Sequence, residues 1–99
     1  MTEHLLLKVY IAGNTPAGRR AIRNLEKACA EYSNHHTYKI EVIDILKHPQ
    51  LAESENILAT PTVVKELPAP IRRVVGDLSE TEQLLVGLDL TLDQDNGSA

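Results

Sequence analysis

The first half of the chain narrows the fold most, because it spells out a strand, a helix and a second strand in succession. Leu5-Leu6-Leu7-Lys8-Val9-Tyr10-Ile11 is a nearly continuous apolar run of strand length, as expected of a strand covered on both faces in an α/β sheet. Gly13-Asn14 ends it. Thr15 then offers an N-cap with Pro16 at the first helical position, and Ala21, Ile22, Leu25, Ala28, Cys29 and Tyr32 recur at three- and four-residue spacing. This pattern predicts a helix over 16–32. After the polar break Ser33-Asn34-His35-His36, Tyr38–Asp44 alternates apolar and polar with β-branched residues, the period of a strand. Strand, helix and strand in this order make a right-handed parallel unit.

The second half is shorter in its elements. Pro49 opens a second helix through Gln50-Leu51-Ala52-Glu53 to about Leu58, with a thin apolar stripe. Thr62–Leu67 and Ile71–Val75 read as two strands around Pro68-Ala69-Pro70, closed by Gly76-Asp77. Ser79–Leu92 supports two readings. Ser79 and Glu82 form a capping box, with Leu85, Leu88 and Leu92 on one helical face; yet Val86, Leu88, Leu90 and Leu92 alternate as in a half-buried strand. Gly87 would cost a helix there about 1 kcal/mol relative to Ala. The acidic tail 93–99 has no apolar residue but its last alanine and is expected to be disordered, leaving one domain over 1–92.

Ile57-Leu58-Ala59-Thr60-Pro61-Thr62-Val63-Val64 follows the strand, helix and strand at the place where thioredoxin-like domains put a proline, often cis, beside their active site. Asn14 and Ala17 stand where a thioredoxin has its two cysteines, so a thioredoxin frame without that chemistry points to binding. Asn14-Thr15-Pro16-Ala17 is most simply a helix cap. Cys29, the only cysteine, lies on the apolar stripe of the first helix as a small core residue without a resolving partner.

Composition excludes further classes. With three tyrosines and no tryptophan or phenylalanine the core is aliphatic, and no aromatic platform exists for stacking nucleic-acid bases. Residues 1–50 hold seven Lys and Arg against five Asp and Glu, and residues 51–99 three against nine, so the halves carry +2 and −6 within the net −4. Such polarity suits a partner protein. His4, His35, His36 and His48 lack the spaced pairs of a zinc site, no metal or other cofactor is expected, and Arg19, Arg20, Arg23 and Lys27 form a solvated helix face. No segment reads as a membrane span or signal peptide, which suggests a cytoplasmic protein.

Tyr-Ile-Ala-Gly-Asn-Thr-Pro at 10–16, Val-Ile-Asp at 42–44, Pro-Gln-Leu-Ala at 49–52, Ile-Leu-Ala-Thr-Pro-Thr at 57–62, Pro-Ile-Arg-Arg at 70–73, Gly-Asp-Leu-Ser at 76–79 and Leu-Val-Gly-Leu-Asp-Leu at 85–90 together resemble the KaiB family over roughly residues 5–92. The resemblance implies a non-enzymatic regulator that docks on the ring of the hexameric ATPase KaiC, sequesters KaiA and displaces a sensor kinase with a similar thioredoxin-like domain. It also implies two folds: a thioredoxin-like βαβαββα monomer in the partner-bound state, and a βαββααβ ground state in a free tetramer or dimer. Gly87, Asp89 and Pro61 are then the fold-switch positions. The partner surface would be built largely from the second helix and its flanks, with Lys47, Lys65, Arg72 and Arg73 as charged contacts. Cyanobacterial clock members tend to carry lysine where this chain has Glu41 and Asn56, and an aromatic where it has Leu92. A divergent paralogue, or a copy from an organism lacking KaiA, fits these departures. Two rival functions are a thioredoxin-like interaction module independent of KaiC and a thiol oxidoreductase using Cys29.

Overall fold

A computed structural model describes residues 4–32, 37–76 and 87–88. Its elements run β1 (His4–Ile11), α1 (Pro16–Tyr32), β2 (Thr37–Asp44), α2 (Pro49–Ser54), β3 (Thr62–Leu67) and β4 (Arg72–Val75). The strands form one sheet in the order β2-β1-β3-β4. β1 and β2 are parallel, with Val9 opposite Val42, whereas β3 runs antiparallel to β1 with Val9 opposite Val63. β4 closes the other edge antiparallel to β3, Val63 facing Val74.

Alternation along β1 divides the sheet into two unequal faces. Leu5, Leu7 and Val9 point to one side, where Leu25, Ala28 and Cys29 of α1 pack on them together with Val63 and Leu88. Each of these is fully or almost fully buried, and a Leu or Val so placed contributes about 1.5–3 kcal/mol relative to exposure. The opposite face carries Tyr10 and Val64, covered by Ile57 with Ile43, Ile45 and Ala52 at its edge.

The start of α1 follows its sequence signals. The Thr15 hydroxyl accepts the Gly18 N–H at 3.0 Å, and the Thr15 carbonyl accepts the Arg19 N–H at 3.0 Å, so Thr15 caps the helix and Pro16 takes the position that needs no donor. β2 and β4 lie within a residue of their expected bounds, and β3 matches its expected range.

α2 departs from expectation: it ends at Ser54 and not near Leu58. Asn56 adopts a left-handed backbone, φ 58°, and the Asn56 and Ile57 amides turn back to the carbonyls of Glu53 and Ala52 at 3.2 and 2.8 Å. This is a Schellman stop, and its usual apolar partner contact is met by Ile57 and Ala52 in the same cluster. The Thr60–Pro61 bond is cis, as are those before Pro68 and Pro70. Of the two-way segment Ser79–Leu92, Gly87 and Leu88 are among the described residues, and Leu88 is buried in the α1 core. Asp89 and the tail 93–99 lie outside the described residues.

Candidate docking surface

The turns after β1 and β2 and the turn into β3 meet at one end of the sheet, the end where the parallel strands finish. Asp44, the last residue of β2, joins two of them. Its Oδ1 accepts the Gly13 N–H from the β1–α1 turn and the Leu46 N–H from the β2–α2 turn, each at 3.0 Å. These two amides, with lesser help from Lys47 and His48, hold the Asp44 carboxyl below its ordinary value against a smaller opposing effect of desolvation. The Asp44 carbonyl accepts the Lys47 and His48 amides at 3.0 and 3.1 Å and so turns the chain into α2.

α2 itself buries none of its residues. It touches the sheet through Ala52, next to Ile57, Tyr10 and Val64, and turns its other side chains outward. Leu46 (69 % exposed), Leu51 (37 %) and Leu58 (87 %) therefore present apolar surface before, on and after this short helix. A groove of about 600 Å³ runs beside it, with Val42, Ile43 and Leu51 among Lys8, Glu41, Asp44, Lys47 and His48. Apolar surface bordered by mixed charge is the composition of a protein-binding patch.

The four basic residues expected at this surface part company. Lys47 is exposed in the β2–α2 turn, at the N-terminal end of α2. Arg73 sits on β4 opposite Val64 and reaches the other end of α2, where Nη1 donates to the Asn56 carbonyl at 2.9 Å and Nη2 to the Glu55 carbonyl at 2.8 Å. Arg72 alternates to the opposite face and donates to its neighbour's carbonyl, Ile71 O, at 3.3 Å. The fold takes Lys65 out of the set. It lies on β3, an inner strand between β1 and β4, and is 1 % exposed, so its charge is not offered to a partner in this fold.

Of the switch positions, Pro61 is buried at the entry to β3, and its carbonyl accepts the Gly76 N–H at 2.8 Å. Gly87 lies against β4: a Cβ there would come within 2.7 Å of Val74 Cγ2, so glycine permits this close approach. Sequence reasoning missed Asp44 and Asn56 as structural positions. The signal for Asn56 was present, since Asn just before an apolar residue at a helix end favours the left-handed stop.

The place of a thioredoxin's cysteine pair is a small cleft of about 150 Å³ lined by Ile11, Gly13, Asn14, Thr15, Arg19, Ile22 and Asp44, with Arg19 Nη1 donating to Asn14 Oδ1 at 2.6 Å. Cys29 is elsewhere, fully buried in the α1 core, and its thiol is pushed up to about 12 by desolvation, with Glu26 adding to the effect. A thiol so placed is not a thiolate near neutral pH. Among the described residues no cluster of His, Cys, Asp and Glu is suited to a metal, and no helix is long and apolar enough to cross a membrane.

A sheet of this order, with a capped helix after its first strand and an exposed short helix on its other face, defines a thioredoxin-like domain. Solved structures agree on the frame. The N-terminal domain of Synechococcus elongatus SasA superposes with TM-score 0.73 over 98 % of this chain and 90 % of that one at 24 % identity. Saccharomyces cerevisiae mitochondrial thioredoxin 3 superposes with TM-score 0.65 over 86 % and 76 % at 17 % identity. The sequence is more specific: the KaiB domain profile matches residues 8–90. The circadian clock oscillator protein KaiB of Gloeothece citriformis is 52 % identical over 90 % of this chain and 83 % of its own length. That of Synechococcus elongatus is 54 % identical over 86 % and 82 %. The chain belongs to the KaiB family.

Proposed function

We propose that this protein is a non-enzymatic regulator that docks, in its thioredoxin-like form, on the ring of a KaiC-type hexameric ATPase and thereby controls that ring's phosphorylation state and its access to other partners. The observation that carries this reading is α2, a helix with no buried residue that displays Leu46, Leu51 and Leu58 beside Lys47 in a domain of the KaiB family. We further propose a second step, in which proteins of one frame, the frame also seen in the SasA domain, compete for one ring surface. KaiA is the other candidate for sequestration.

Free protein held as a tetramer in the alternative fold would bind slowly. A partner that accepts the minor fold alone must supply the conversion free energy from its own contacts, so apparent affinity scales with the fraction in the competent fold. Gly87, Asp89 and Pro61 are the positions proposed to set that fraction. The test is size-exclusion chromatography with light scattering on mixtures with a KaiC-type hexamer and ATP, followed over hours. Slow growth of a large complex from a free oligomer pool, accelerated and strengthened in Asp89→Arg, is the expected result. No complex after a day with either protein would refute ring docking and favour a KaiC-independent interaction module.

A further inference from the structure

We propose that Arg73 is a positioning residue: its guanidinium clamps the C-terminal end of α2 to β4 and thereby sets how Leu51 and Leu58 are presented, instead of offering its charge to a partner. The clamp is a property of the fold, and its consequence for binding rests on the docking role of α2 proposed above.

Weak apolar anchoring gives the clamp its weight. No residue of α2 is buried, and the segment meets the sheet through Ala52 and Ile57 against Tyr10 and Val64. The Schellman stop satisfies Ala52 O and Glu53 O, and Glu55 N–H returns to Leu51 O at 2.9 Å, which leaves the carbonyls of Glu55 and Asn56 pointing beyond the helix end. Arg73 takes both with its two terminal nitrogens, at 2.8 and 2.9 Å. A cation at this end also complements the negative pole of the helix. Register explains why Arg73 and not Arg72 does so. Arg73 lies opposite Val64 on the face that carries Tyr10, and Arg72 lies opposite Lys65 on the other.

The two roles are separable because lysine keeps the charge of arginine but not its planar fork. Arg73→Lys and Arg73→Met would be compared with the parent by amide hydrogen exchange, on the species that shows the Val9–Val63 cross-strand contact, and by binding to a KaiC-type hexamer as a function of salt. A clamp predicts that the Glu55, Asn56 and Ile57 amides exchange roughly three- to tenfold faster in both variants, the loss expected for charge-assisted bonds at an exposed site, with β1 and β3 unchanged. It further predicts that both variants bind the ring more weakly than the parent with the same salt slope. Unchanged exchange at 55–57, with binding retained in Arg73→Lys and a shallower salt slope in Arg73→Met, would make Arg73 a direct contact and overturn the proposal. Faster exchange at 55–57 with no complex from the parent protein would uphold the clamp and refute ring docking.

Discussion

Leu88 gives the strongest test of how the chain beyond β4 supports this fold. It is fully buried, packed in the same cluster as Leu5, Leu7, Val9, Leu25 and Cys29, and it follows the glycine that lets the backbone approach Val74. Leu88→Ala removes three carbons from that cluster, about 2.4 kcal/mol of transfer free energy at about 0.8 kcal/mol per methylene. The residual cavity brings the expected loss to about 3–4 kcal/mol. Leu88→Met conserves volume and should cost less than about 1.5 kcal/mol. Urea unfolding of the species with β3 paired to β1 should show the midpoint lowered at constant slope. In the proposed equilibrium between two folds, the same loss, taken from the competent one, should weaken apparent affinity for the ring by about two to three decades. A change below about 0.5 kcal/mol in Leu88→Ala would refute the placement of Leu88 in the core.

Leu58→Ala is the complementary variant. At 87 % exposure Leu58 should change stability by less than about 0.5 kcal/mol and yet weaken complex formation, as measured by urea unfolding and by co-elution with the hexamer. Asp44 predicts an acid limb. Its carboxyl is lowered in the folded protein by the Gly13 and Leu46 amides, so its contribution is present above the ordinary carboxylate pKa of about 4 and is lost as pH falls through the lowered folded value. Stability measured from pH 6 downward should fall less steeply in Asp44→Asn than in the parent. Cys29, with its thiol pushed up to about 12, should resist a thiol reagent at pH 8 in the native state and react at once in denaturant; rapid native reaction would reopen the thiol chemistry considered from the sequence.

Local signals were enough wherever one element settles its own conformation. The apolar run of β1, the Thr15-Pro16 cap and the three- and four-residue spacing through Cys29 located β1 and α1, with Gly13 at the turn between them and Pro61 at the entry to the antiparallel strand β3. What the sequence did not reveal depends on contacts between elements. The early end of α2 is decided by Asn56 turning left-handed so that Ile57 can reach Tyr10, and the apolar stripe of a short helix carries no such information. Lys65 looks like any strand lysine until β1 and β4 are placed on either side of it. The two arginines at 72 and 73 are alike in sequence, and only the register of β4 against β3 sends one of them to the end of α2.

The two faces of the sheet explain how one small domain can keep a stable frame and a surface open to adjustment. On the α1 side, burial of Leu5, Leu7, Val9, Leu25 and Val63 fixes the strand order through apolar contacts that tolerate little change of volume. On the other side, α2 is held at its approach by the Asp44 carboxylate and at its end by the Arg73 guanidinium, with Ala52 and Ile57 supplying the apolar contact between. Polar ties at an exposed site are individually weak, so changes here move the helix more than they destabilise the fold. Asn56 fits the same logic. Its left-handed backbone is cheaper for asparagine than for most other non-glycine residues, and it places the two carbonyls that Arg73 holds. Substitutions at 56 and 73 should therefore tune partner affinity together and non-additively with little change in global stability, whereas substitutions in the α1 core should reach affinity only through the stability of the fold.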